Sequence, residues 1–145
     1  MPDDAPQAVR TLSRLARLLE CSLEDLSFPQ YRVLAAVDGG GDRTTHLACD
    51  LAVAKPTITA AVDGLVIRGY LKREPVPQDR RSIRIALTPA GKRALQEAER
   101  TMGAALAKVV ADTGGPASLL TAIAGLGPAL DAGPAGPARP DLRRS

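Results

Sequence analysis

The chain has 145 residues, 45% hydrophobic and 24% charged, enough for one domain with a buried core. Its only aromatics are Phe28, Tyr31 and Tyr70, which leaves the core to aliphatic side chains and weighs against single-stranded nucleic acid, whose bases stack on aromatic platforms. The formal charge is +3, but Asp42–Arg93 holds ten basic residues against five acidic ones, so the middle of the chain suits an anionic partner, with a solvated charged surface as the alternative.

The start, MPDDAPQ, lacks the apolar segment of a signal peptide. No apolar run approaches the roughly 20 residues of a membrane span. Cys21 and Cys49 have no metal-ligand or CxxC spacing. These features predict a cytoplasmic protein with reduced thiols, no cofactor and no metal.

An opening helix is predicted over about Gln7–Glu20, with Ala8, Leu12, Leu15, Ala16 and Leu19 on one face and Arg10, Arg14 and Arg17 opposite. Cys21 follows on the arginine side. Cationic neighbours lower a thiol's pKa, so it reads either as a redox-sensing thiol or as an ordinary one. A second helix begins at SFPQYRVLAAV, where Ser27 can cap, Pro29 fits the first turn, and Val33, Leu34 and Val37 are apolar. The glycines of Asp38–Asp42 end it, and no phosphate-loop Lys-Ser/Thr follows them.

A helix over Thr45–Leu51, the short connection AVA, and a helix over about Lys55–Arg68 then form a helix-turn-helix candidate. Pro56 suits the first turn of the second helix and Gly69 its stop. Two strands are expected in YLKRE and SIRIALT, the second placing Ile83, Ile85 and Leu87 on one face. Between them lies PVPQDRR, read as a loop stiffened by Pro75 and Pro77, with Arg80 and Arg81 at its tip and Asp79 placed to hold a guanidinium in a salt bridge.

Thr88 and Pro89 start a helix reaching about Ala111, in which Leu95, Ala98, Met102, Ala105 and Val109 recur as a short coiled-coil-like seam. A last helix is expected over about Ala117–Leu126, broken by Gly127–Pro128. The Gly- and Pro-rich end reads as a disordered basic tail.

Helix, turn, helix and hairpin is the winged helix-turn-helix order, a mostly α fold with a small β-hairpin wing. Its second helix fits the major groove of duplex DNA, with the N-terminal residues Lys55, Thr57 and Thr59 toward base edges. The wing reaches the minor groove, whose negative potential attracts arginine. The sole histidine, His46, and the lack of a Ser/His/Asp or Cys/His set argue against an enzyme.

The markers KPTIT, RGYLKR, DRR and LTPAG, spread over roughly Ser27–Leu95, make this stretch resemble the MarR family of bacterial transcription regulators. The resemblance implies a sequence-specific double-stranded DNA-binding regulator, a repressor, working as a homodimer on a pseudo-palindromic operator. It implies dimerisation helices in residues 1–26 and 94–130 around a DNA-binding domain at 27–93 (helix-turn-helix about 45–68, wing about 70–88), with the tail at 131–145. DNA contacts fall to Thr45, Lys55, Pro56, Thr57, Thr59, Arg80, Arg81 and Arg84. The family pattern also implies a small, phenolic or other aromatic, effector, in a pocket that Leu12 and Tyr31 could line. Release could come from that ligand or from thiol oxidation.

Three departures from the pattern stand out: Ala54 in place of a capping Ser or Thr, Ala60 where relatives carry a basic residue, and Ala52 for the turn glycine. Gly64 also lies inside the second helix, where it costs up to about 1 kcal/mol relative to alanine. With few base-reading side chains, the alternative is a winged helix used as a protein-interaction module without a DNA target.

Overall fold

A computed structural model describes residues 4–132; the side chains of Arg80 and Ala132 lie outside that description, as does the expected tail from residue 133 on. The elements run α1 (Ala5–Ser22), α2 (Phe28–Asp38), α3 (Thr44–Asp50), α4 (Lys55–Ile67), β1 (Leu71–Val76), β2 (Asp79–Leu87), α5 (Pro89–Asp112), α6 (Ser118–Ala124) and α7 (Gly127–Ala132). This is the expected mostly helical chain with one antiparallel hairpin. It divides into two compact units, Met1–Leu106 and Ala107–Ser145. The division falls within α5.

Local chemistry explains the helix starts. Ser27 accepts from the Gln30 N–H at 3.2 Å while the Gln30 side chain accepts from the Ser27 N–H at 3.1 Å, a reciprocal capping box. Thr88 Oγ1 accepts from the Gly91 N–H at 3.0 Å and donates to the Gly69 carbonyl at 2.6 Å, so one hydroxyl caps α5 and ties it to the chain entering β1. Gly91 is there for space: a Cβ on it would lie 2.0 Å from the Tyr70 carbonyl oxygen. Gly64, a helix-weakening residue by propensity, faces Gln30 Nε2 at 3.1 Å from its would-be Cβ.

The core of the first unit gathers Val33 and Leu34 of α2, Leu47 of α3, Ile58, Val62 and Leu65 of α4, Leu71 and Ile85 of the hairpin, and Leu95, Ala98 and Met102 of α5. The expected seam on α5 is thus half absorbed: its first three residues are buried in the chain's own core, and only Ala105 and Val109 stay half-buried. Periodicity marks a buried face without saying what buries it. α1 differs, having no buried residue, with Val9 63% and Leu12 56% exposed.

Two further expectations are corrected. The last helix breaks at Gly125 and a new one starts at Gly127, so Gly127–Pro128 opens α7 as a first-turn pair. Ile83 is 59% exposed although Ile85, on the same strand face, is buried. The hairpin outruns the core, and Ile83 pairs with Pro75 where the register breaks.

Candidate nucleic-acid interface

The turn between α3 and α4 is built by backbone and one arginine. Ala52 takes φ +50°, the left-handed region that favours glycine. Val53 N–H returns to the Ala48 carbonyl at 3.2 Å, and Arg32 Nη2 donates to the Leu51 carbonyl at 2.6 Å from α2. Ala54 precedes α4 with no side-chain cap. The first turn of α4 consequently has no side-chain cap; Pro56 lacks an N–H and the Thr57 N–H goes to the Ala54 carbonyl at 3.0 Å, so what the turn offers an anion is the positive end of the helix dipole. Lys55, Pro56, Thr57 and Thr59 are all exposed there, while Ile58 between them is fully buried and anchors the helix. Thr45, on the first turn of α3, is exposed too.

The hairpin departs from the expected loop. Strand pairing continues through Pro75 and Val76 to Asp79, leaving only Pro77 and Gln78 as the turn. Pro75 pairs with Ile83 and Val76 with Asp79, so Arg80, Arg81 and Ser82 form a bulge on β2. The two arginines stand on this bulged strand beside the tip rather than at the apex of a loop. The Arg81 side chain is exposed; that of Arg80 lies outside the described part.

Asp79 does not hold the Arg81 guanidinium. It accepts from Ser82 Oγ at 2.6 Å and from the Arg81 backbone N–H at 3.1 Å, which shapes the bulge. The Ser82 hydrogen bond, then the Arg81 N–H and the Arg43 charge, hold its carboxyl below the ordinary aspartate value.

Arg84 is engaged within the hairpin. It pairs with Glu74 directly across the strands through Nε at 3.1 Å and Nη2 at 2.9 Å, and Lys72 Nζ lies 2.6 Å from the same carboxylate. These two hydrogen-bond donors hold Glu74 below its ordinary value. Its cation is therefore spoken for, unlike that of Arg81, which has no ion pair among the described residues.

Two links seat the hairpin on the helices, and sequence reasoning had no local signal for either. The Ile85 N–H donates to the Asp42 carbonyl at 2.7 Å, bringing the glycine loop alongside β2. Arg73 of β1 pairs with Asp63 of α4. Arg43, next to Asp42 and exposed, brings another cation near the wing.

Cys21 and Cys49 are both exposed and free. One cleft of this unit is lined by the α1–α2 connection, Tyr70 and the first half of α5, and another by the starts of α2 and α4.

A helix presenting an uncapped, exposed N-terminal turn beside a seated hairpin with a free arginine defines a winged helix-turn-helix. Residues 24–82 match the model of the MarR family. The HTH-type transcriptional regulator YpoP of Bacillus subtilis (strain 168), itself uncharacterized, is 33% identical over 84 residues, 58% of each chain. The chain thus spans little more than half of that relative. The crystal structure of RV1404 from Mycobacterium tuberculosis superposes with TM-score 0.70 at 26% identity, covering 97% of both chains. A mutant MarR from E. coli complexed with operator DNA superposes with TM-score 0.63 over 86% of this chain and 91% of its own, and at 22% identity it speaks for the fold. The stretch 24–82 is thus similar to the MarR family of transcriptional regulators, and the described fold is the winged-helix fold of the solved regulators it superposes on.

Proposed function

We propose that this protein is a cytoplasmic repressor that binds a pseudo-palindromic operator as a homodimer and is released by a small effector. One observation carries the reading: the exposed first turn of α4 and the free Arg81 project from a single unit whose hairpin is tied to its helices by the Asp42–Ile85 hydrogen bond and the Asp63–Arg73 pair. Lys55, Thr57 and Thr59 meet the major groove, Pro56 sets the helix start, Thr45 takes a phosphate, and Arg80 and Arg81 enter the minor groove. Ala54 and Ala60 offer no hydrogen bonds, so backbone and minor-groove contacts carry a larger share of the affinity.

The exposed apolar face of α1, with Val9 and Leu12, is what a second copy covers. With two half-sites about one helical turn apart, the dimer doubles the contact and fixes operator symmetry. Measuring operator affinity against salt tests the reading. A binder making several phosphate contacts loses on the order of a hundredfold or more between 50 and 200 mM salt. A protein-interaction module would show no such duplex binding.

A further inference from the structure

The glycine run of Asp38–Asp42, which ends α2, is a tightly built loop. Gly40 takes φ +106°, and the Gly41 N–H donates to the Ala36 carbonyl at 2.8 Å. A Cβ on Gly41 would lie 2.9 Å from that same oxygen and 2.8 Å from Leu47 Cδ2, so the loop is pressed between α2 and α3. One residue on, the Asp42 carbonyl takes the Ile85 N–H of β2 at 2.7 Å. Arg43 follows in extended backbone, φ −131° and ψ 131°, and its carbonyl accepts from the Leu47 N–H at 3.0 Å. Its backbone is thereby held to α2 through the loop, to β2 through Asp42 and to α3 directly.

The side chain on this fixed backbone is exposed and has no ion pair among the described residues. The acids around it leave it free. Asp38 holds Lys92 at 2.7 Å, Asp79 accepts from Ser82 and the Arg81 N–H, and Asp42 has no ion pair among the described residues either. The Arg43 charge is nonetheless felt at Asp79, so the guanidinium lies within electrostatic reach of the wing. On the hairpin, by contrast, Lys72, Arg73 and Arg84 are all in ion pairs.

Position decides what this charge meets. In a DNA duplex a phosphate backbone separates each major groove from the next minor groove. With α4 in one and the wing in the other, that backbone crosses the face between them, where Arg43 joins the helix-turn-helix to the edge of β2. We infer that Arg43 is a further DNA-contacting residue, whose planar guanidinium grips a phosphodiester on the strand running between the two grooves. This rests on the DNA-binding reading and adds a contact made by neither α4 nor the wing. Held on three sides, it sets the register of groove helix and wing on the duplex without reading a base.

The test uses the full chain and a duplex selected from a random pool by the wild-type protein. Between about 50 and 200 mM salt, Arg43→Ala should reduce the slope of log affinity against log salt by about 0.9, the value of one phosphate. It should weaken the selected duplex and an unrelated one alike, by about tenfold, with the melting temperature unchanged. Arg43→Lys, which keeps the charge, should retain the slope. Should Arg43→Ala melt early, Arg43→Gln, which keeps the aliphatic stem, carries the same measurement. Neutral methylphosphonates placed one at a time along the selected duplex then locate the contact. At one position per half-site the wild type should lose affinity and Arg43→Ala should not. A wild-type slope in Arg43→Ala and Arg43→Gln, a slope lost in Arg43→Lys, or no position at which the variant becomes indifferent would each overturn the inference. A wild-type protein that selects no duplex would instead overturn the DNA-binding reading, and the inference with it.

Discussion

Arg81 and Arg84 are three residues apart on one strand and are employed differently. Arg81 gives its backbone N–H to Asp79 and leaves its guanidinium exposed, while Arg84 spends its own on Glu74. Replacing Arg81 by alanine should weaken operator binding by about 1–3 kcal/mol without lowering the melting temperature. Arg84→Ala should change operator affinity far less, because its charge is already neutralised by an exposed cross-strand pair. Comparing both variants by fluorescence anisotropy decides whether the wing grips through one residue or the whole strand. An Arg81→Ala variant that binds normally would remove the wing from the interface. Ala52 makes a second prediction of the same kind. Its φ of +50° costs a residue with a Cβ roughly 1–2 kcal/mol, and glycine avoids that cost while adding chain entropy to the unfolded state. Ala52→Gly should therefore stabilise the protein by up to about 1 kcal/mol in urea titration. Both residues were visible as departures or surpluses in the sequence. The engagement of Arg84 was not, because its partner lies ten positions away and is chosen by hairpin register.

At the level of elements, helix starts were legible because caps act within three residues, as Ser27 with Gln30 and Thr88 with Gly91 show. The hairpin was harder to read. Its prolines suggested a loop, yet Pro75 is paired with Ile83 and the irregularity sits on the opposite strand. Proline is tolerated at a bulge on a two-stranded sheet, which is all edge. Glu74 joins the strands by binding Lys72 and Arg84 at once, and those hydrogen bonds lower its pKa. A carboxylate lowered in the folded state contributes stability that is fully present above its unfolded pKa, about 4.3, and fades as pH falls through the folded value. The cross-strand link should accordingly be indifferent to pH between about 6 and 8 and open only in acid. Titration of the Glu74 carboxyl carbon by NMR should give a midpoint below that unfolded value of about 4.3. A midpoint at or above it would show the link absent in solution.

For the whole molecule, the location of the α5 core residues decides how dimerisation can be separated from folding. Leu95, Ala98 and Met102 are 2%, 7% and 5% exposed and belong to the core built by α2, α4 and the hairpin. A chain ending after Thr88 would lose those side chains from one packed cluster, and each large-to-small deletion in a core costs about 2–5 kcal/mol. With native stability near 5–15 kcal/mol, such a fragment should not fold, so its failure to bind DNA would say nothing about dimers. A chain ending at Leu106 keeps that core and removes the last turns of α5 with α6, α7 and the turn between them, where Leu119, Leu126 and Leu130 are 42%, 53% and 78% exposed. Large apolar side chains exposed on two short helices and the turn joining them are what a partner surface looks like before it is covered. The shortened chain should melt cooperatively, sediment as a monomer, and bind a single half-site with its salt dependence retained. Its affinity for the paired operator should fall by about 10²–10⁴, the range lost when two linked sites become independent. Sedimentation of the shortened chain as a dimer would place the interface on α1 and the first unit alone, and undiminished binding to the paired operator would remove the dimer from the mechanism.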